Sequence, residues 1–323
     1  MELSNRKTVG VTGANGYIGA NLVTTLVERD YKVNMLSRTG NRGNENNLIS
    51  YQHDLTSGLP CPKEFFEGVS IIFNCAGNIM HEDKMRKLHV EGTKSLIEGA
   101  RRETRRRGDS MHIVQLSSAG VYGPNPHGAL SERLITEDSP LRPRGEYETT
   151  KAESDTLFKS LDGSDGITYS ILRPTIVFSR DMPNSSLRIL AKMIKKGWYY
   201  NIGAPGAIAN YVHVNDVVDA LIMCANVQKS RGQVYIISND CPFEDIVSSL
   251  ASYQNVNIPK TRLPYGLVKL LVSVFSIFSQ FPLNQSRLDA MTGRSHYSSN
   301  KIERHLGFVA QKDVALSIKE IVR

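Results

Sequence analysis

The stretch that most constrains this chain is its first twenty residues. Thr8–Val11 is short and rich in β-branched residues, which predicts a strand, and Thr12-Gly13-Ala14-Asn15-Gly16-Tyr17-Ile18-Gly19 follows it at once. Apolar residues at 18, 22, 23 and 26 then predict a helix over Tyr17–Arg29. Strand, glycine turn and helix together make a phosphate cradle. The first glycine permits the tight turn, the second lets backbone approach a pyrophosphate, and the third lets helix and strand pack closely. The helix start presents free N–H groups and a positive dipole end to the phosphates. We therefore expect a dinucleotide on Gly13, Asn15, Gly16, Tyr17, Ile18 and Gly19.

Such a turn belongs in a parallel sheet, and the rest of the chain agrees. Strand-like runs recur at Lys32–Leu36, Ser70–Asn74, His112–Ser117 and Thr168–Leu172, with helical patterns between most of them. This alternation predicts an α/β protein with a Rossmann-type, doubly wound parallel sheet. The alternation weakens after about residue 180. We expect a dinucleotide-binding domain over 1–178 and a smaller C-terminal substrate lobe over 179–323. A helix at Val217–Val227 and a strand at Gln233–Ser238 would return part of that lobe, about 208–240, to the main sheet.

The end of the second strand discriminates between dinucleotides. An acid there would bond the ribose 2′-hydroxyl of NAD. Here the chain reads Leu36-Ser37-Arg38, with Arg42 further on, and a hydroxyl beside a guanidinium suits a 2′-phosphate. NADP(H) is expected over NAD(H). Asp54-Leu55 follows the third strand and is placed at the adenine edge.

The 323 residues are 40% hydrophobic and 22% charged, which excludes a disordered, collagen-like or coiled-coil chain. The net charge is 39 − 32 = +7, compatible with phosphate-bearing ligands; no nucleic-acid partner is expected. Cysteines at 61, 75, 224 and 241 show no metal spacing, and no metal is expected. No apolar signal core opens the chain, so a reducing cytoplasmic setting is expected. Five arginines in Arg101–Arg107 read as a solvated helix end. Leu270–Ser286 carries no charge, and Leu267, Leu270, Leu271, Val274, Phe275 and Phe278 recur at helical spacing. It is too short and polar for a confident membrane span, so we expect a buried helix; the alternative is contact with a membrane surface or a polyprenyl lipid through 266–283.

Tyr147-Glu148-Thr149-Thr150-Lys151 places Tyr and Lys on one helical face, where an ammonium would lower the phenol's pKa and let it shuttle a proton. Ser117-Ser118-Ala119-Gly120-Val121-Tyr122-Gly123 lies at a strand end. With the glycine turn, these motifs resemble the extended short-chain dehydrogenase/reductase family, and within it the NAD(P)-dependent epimerase/dehydratase group acting on nucleotide sugars. Asn74-Cys75-Ala76-Gly77, Val90-Glu91-Gly92-Thr93, Ile171-Leu172-Arg173-Pro174, Tyr211 through Val217, and Tyr297 through Phe308 carry the resemblance along the chain. It implies Ser118, Tyr147 and Lys151 as catalytic residues, with Ser118 bonding the reacting oxygen, Tyr147 as acid/base and Lys151 on the nicotinamide ribose. It also implies Cys75, Ala76, Gly77, Ser117 and Pro174 at the cofactor, and a homodimer through the Tyr/Lys helix.

The chain departs from that pattern in three places. His89 stands where Asn is usual, Ile176 replaces an Asn after the Arg-Pro pair, and Ala207-Ile208-Ala209-Asn210 lacks the usual diphosphate Arg. Arg287 and Arg294 are the candidate replacements, and with Ser118, Ala119 and Tyr147 they form the expected substrate set. The resemblance implies reduction at C4 of a 4-keto-6-deoxy (acetamido) nucleotide sugar, in bacterial surface-polysaccharide synthesis. The alternative is a 4-epimerase of a UDP-sugar or of undecaprenyl-diphosphate-linked N-acetylhexosamine. A cofactor-sensing binding module is disfavoured by the intact Ser/Tyr/Lys set. A dehydratase is disfavoured because Ala119-Gly120, not acids, follow Ser118.

Overall fold

The computed structural model describes residues 7–39, 47–161, 163, 165–275 and 283–322. Arg42 and Phe278, and the side chain of Phe275, lie outside what it describes. Seven strands form the central sheet. Their spatial order is Gln233–Ile237, Ile167–Pro174, Met111–Leu116, Val69–Asn74, Thr8–Thr12, Lys32–Ser37 and Leu48–Gln52. All six pairings are parallel. The order reverses between Thr8–Thr12 and Val69–Asn74, and a crevice at such a reversal is where doubly wound sheets bind ligands.

These strands read as continuous apolar runs because helices cover both faces. Met111–Leu116 is buried at every position. One layer packs Leu22, Val23 and Leu26 of helix Tyr17–Glu28 with Val217, Leu221 and Ile237. The other packs Phe65, Phe66, Leu96, Ile113 and Phe158. Helix Val214–Asn226 begins three residues before the expected Val217, because His213 caps it by accepting from the Asn215 amide. The strand Gln233–Ile237 then completes the sheet beside Ile167–Pro174.

Later segments build a separate core around Leu187, Leu190, Ile194, Tyr211, Phe243 and Leu250. It is held by two-residue and three-residue strand pairs, such as Ile176–Phe178 with Tyr211–His213. The arginine run behaves as expected. It ends helix Gly92–Arg107, with Arg101 and Arg105 on Asp165, Arg106 on Glu103 and Arg107 on Asp109.

Helix Tyr265–Phe275 departs from the expected buried helix. It buries Val268 and Val272 but turns Leu267, Leu270, Leu271 and Val274 outward. Among the described residues, no helix is long and apolar enough to cross a membrane.

Candidate active site

The site is built at the carboxyl ends of the central strands, and a buried polar network sets their register. The Thr12 hydroxyl donates to Asn74 Oδ1 at 2.6 Å, and Asn74 Nδ2 donates to Gln115 Oε1 at 2.6 Å. Three adjacent strands are thereby tied together under the crevice. Thr12 also accepts from the Ala76 amide at 3.2 Å, which draws the Cys75–Gly77 loop over the glycine turn. That closeness explains two glycines. Gly13 has φ +64, and a Cβ there would lie 2.7 Å from the Ala76 nitrogen. A Cβ on Gly19 would lie 2.1 Å from the Gly13 carbonyl oxygen.

A cavity of about 500 Å³ opens above this turn, lined in part by Gly13, Asn15, Gly16, Ser37, Arg38, Asp54, Leu55, Ala76 and Gly77. Gly16 opens helix Tyr17–Glu28 without a side-chain cap, so its first amides face the groove unpaired by side chains. Asn15 donates to the Ser37 hydroxyl at 3.1 Å and to the Thr39 hydroxyl at 3.0 Å, fixing the rim where the second strand ends. Arg38 helps hold the Asp54 carboxyl below its usual range, although burial opposes it; bonds from Thr56 act the same way. This groove fits a dinucleotide. It has a helix start for phosphates, and the second strand ends there in Ser37-Arg38 rather than in an acid, with Asp54 supplied by the next strand's end. Asn78, Ile79, Met80 and His81 also line it, with Lys84 from the short helix Glu82–Arg86 that follows; no periodic pattern marks that loop in the sequence.

Three residues of the cofactor set are turned elsewhere by their side chains. The Tyr17 hydroxyl donates to Ser179 at 2.7 Å, strapping the glycine turn to the loop after Ile176–Phe178. Ile18 packs into the main core. Ser117 donates to Asp155 at 2.9 Å, so any part it plays at the cofactor passes through its backbone. The Cys75 thiol is pushed up to about 12 by burial and stays protonated. Pro174 is buried at the end of its strand.

Ser118, Tyr147 and Lys151 converge beside the groove. Ser118 Oγ accepts from the Gly120 amide at 3.0 Å and also bonds the Tyr147 phenol. Ala119 is buried in the turn this cap begins. The Lys151 ammonium donates to the Leu116 carbonyl at 3.0 Å, and a Cβ on Gly77 would sit 3.6 Å from Lys151 Nζ. The lysine therefore lies under the loop that closes the groove. Burial lowers its pKa to about 8, against Asp155 and Cys75.

The phenol behaves contrary to expectation. Burial pushes Tyr147 up to about 12, and the Ser118 bond only partly opposes this. Lys151 points its charge at Leu116, and Glu148 and Asp155 add to the upward push. Desolvation dominates, and the Ser118 bond is what opposes it. Tyr147 holds its proton through neutral pH.

His89 answers the first departure. It sits in a π-helical turn, Lys87–Glu91, of the kind often found at functional sites. The Asn78 amide donates to His89 Nε2 at 3.0 Å, and His89 Nδ1 lies 2.8 Å from the Thr150 hydroxyl. Since Nε2 accepts, the neutral ring donates from Nδ1 to Thr150. Burial, helped by Lys151, lowers its pKa to about 3, so it stays neutral. The ring also meets Tyr147 edge-on at 5.6 Å between centroids. An imidazole thus braces the groove loop against the catalytic helix Glu146–Lys159. Beneath it, Arg173 pairs with Asp155 at 2.9 Å, both 1% exposed, and donates to the Tyr122 hydroxyl at 2.7 Å.

The substrate side divides into two cavities. One, about 470 Å³, runs from Gly123 past Arg144, Asn210, Tyr265, Lys269 and Tyr297. The other, about 390 Å³, is lined mainly by apolar side chains, among them Ile176, Leu190, Tyr211, Val272 and Met291. Arg287 lines the apolar one, and Arg294 donates to the Pro205 carbonyl at 2.7 Å. The cations of the polar cleft are Arg144 and Lys269, which sequence reading missed because they come from a loop and a helix 125 positions apart (269 − 144).

Comparison with known proteins places this geometry. A family model described as the NAD dependent epimerase/dehydratase family matches residues 9–238. Sterol demethylase protein B of Methylococcus capsulatus is 28% identical, with 91% of this chain and 88% of that protein covered. UDP-glucose 4-epimerase of Vibrio cholerae is 22% identical, with 94% and 90% covered. The solved UDP-glucose 4-epimerase of Thermotoga maritima, with UDP-glucose, has the same fold: TM-score 0.71 at 17% identity, covering 98% of this chain and 97% of that one.

Proposed function

The chain belongs to the NAD dependent epimerase/dehydratase family, and on that premise we propose that it is an NADP-preferring oxidoreductase acting at C4 of a nucleotide sugar. In this reading it reduces a 4-keto-6-deoxy hexose, an acetamido sugar of bacterial surface-polysaccharide synthesis. The observation that carries it is the convergence beside the dinucleotide groove of the Tyr147 phenol, bonded to Ser118, with Lys151 under the Gly77 loop. A phenol so placed can give a proton to a ketone oxygen as reduction requires.

A dinucleotide held by Gly13, Gly16, Ser37 and Arg38 would supply the hydride that the ketone carbon takes up. Ser118 bonds the ketone oxygen and fixes its distance from Tyr147. Tyr147 donates its proton to that oxygen as charge develops there, and regains one from solvent. Lys151, anchored on Leu116, would hold the ribose edge of the groove. Ser37 and Arg38 hold the 2′-phosphate, and Arg144 and Lys269 take the diphosphate role of the missing arginine. Residues 1–178 carry cofactor and catalytic groups; 179–323 carry substrate, with 208–240 returning to the main domain. The working form is a homodimer in the cytoplasm.

The test is NADPH absorbance with a panel of 4-keto nucleotide sugars. Oxidation of NADPH with one of them supports the reading, and none across the panel counts against it. A second reading is favoured by the apolar cavity and by the absence of arginine in Ala207–Asn210. It is a 4-epimerase of a UDP-sugar or of undecaprenyl-diphosphate-linked N-acetylhexosamine. Dinucleotide that copurifies, with sugar interconversion in its presence and none added, would favour it.

A further inference from the structure

Helix Tyr265–Phe275 presents an apolar stripe to the outside. Leu267, Leu270, Leu271 and Val274 are 49%, 60%, 39% and 51% exposed. Their spacing puts them on one face, opposite the buried Val268 and Val272. Leu271 also lines the apolar cavity, as do Trp198 and Tyr200, which are 64% and 45% exposed. The stripe and the two aromatics therefore border the same cavity. Among the described residues, no Asp or Glu lines that cavity. Lys192, Lys195 and Lys196 stand exposed on the neighbouring helix and its C-cap, and the Lys196 ammonium lies 4.7 Å over the Trp198 ring.

Leucines in a stripe, a tryptophan and a tyrosine at a rim, and lysines beside them match what a lipid interface selects. A contiguous apolar face of this kind marks an interaction site. We propose that this face docks on an anionic lipid bilayer, with the apolar cavity opening against the acyl chains. The charge decides between occupants. A second copy would bring the same lysines together, whereas an anionic surface attracts each of them. The proposal goes beyond the reaction assigned above and stands whichever sugar or carrier is used.

Trp198 is the chain's only tryptophan and reports the docking directly. Its emission is followed on adding phosphatidylcholine vesicles, with and without phosphatidylglycerol, in the absence of substrate. We expect a blue shift with the anionic vesicles, quenching by brominated lipid, and weakening as salt screens the lysines. Leu270→Glu with Val274→Glu should lower the partition coefficient by at least about tenfold. Lys195→Glu with Lys196→Glu, on another helix, should do so on anionic vesicles even if the first pair fails to fold. NADPH titration of each variant reports an intact main domain, so failure of docking and failure of the enzymatic reading are separable. No shift with anionic vesicles at low salt would overturn the proposal. So would unchanged binding by both folded variants. Sedimentation showing a dimer that the glutamates split, with vesicles ignored, would assign the face to a second copy instead.

Discussion

A phenol and an imidazole define the chemistry of this crevice, and both are held uncharged by burial. Lowering the pH tests the imidazole. His89 and His112 each have pKa values lowered to about 3, mainly by burial. Below the unfolded value near 6.5 the unfolded chain takes up protons that the native state refuses. Stability is then lost as pH falls from about 6.5 toward 3, by roughly 2 kcal/mol per histidine near pH 5. Urea midpoints between pH 7 and pH 5 should show this slope, and His89→Gln should flatten it. At the cofactor rim, Arg38→Ala should raise KM for NADPH by roughly tenfold or more while leaving KM for NADH nearly unchanged. Equal effects on both would remove Arg38 from the 2′-phosphate. Spacing on one helical face singled out Tyr147 and Lys151, whereas Ser118 stood out only through the family resemblance. The direction of the Tyr147 shift was not legible, since it depends on how deeply neighbouring elements bury the ring. The role of His89 was equally hidden: it needs Asn78 and Thr150, from two other segments, to become a brace.

Among the elements, the glycine turn is closely packed and the catalytic helix holds one half of a buried ion pair. Gly19→Ala would force a methyl against the Gly13 carbonyl, and either the helix or the turn must move. We expect a loss of about 1–3 kcal/mol in urea unfolding, together with weakened dinucleotide binding. The Arg173–Asp155 pair makes a sharper case. Replacing Arg173 by Met leaves a buried carboxylate uncompensated and should cost about 3–5 kcal/mol. Adding Asp155→Leu should restore much of it, and a double variant no better than the single would contradict this account. The main-sheet strands were readable as apolar runs bounded by turns. Pairs such as Glu132–Ile135 with Arg294–Tyr297 were not, because their partners lie far apart in the chain and neither segment is apolar enough to stand out.

For the molecule as a whole, the parallel sheet creates the crevice and the later core supplies two unlike cavities beside it. Sequence pattern pointed to the sheet through its alternation, and to an apolar helical segment within 266–283, of which the described part is helix Tyr265–Phe275. It gave the wrong face of that helix to the interior, since the stripe of strongest apolar spacing is the one left outside. The cavities were invisible to pattern because segments scattered over 176–291 close around one and over 123–297 around the other. The proposed reaction turns on proton donation from one phenol while hydride arrives at the adjoining carbon. The direct test is Tyr147→Phe, measured by single-turnover oxidation of NADPH at saturating substrate, with NADPH affinity determined alongside. Affinity for NADPH should be retained and the hydride-transfer rate should fall by about 10²-fold or more. Turnover at the wild-type rate would contradict the account.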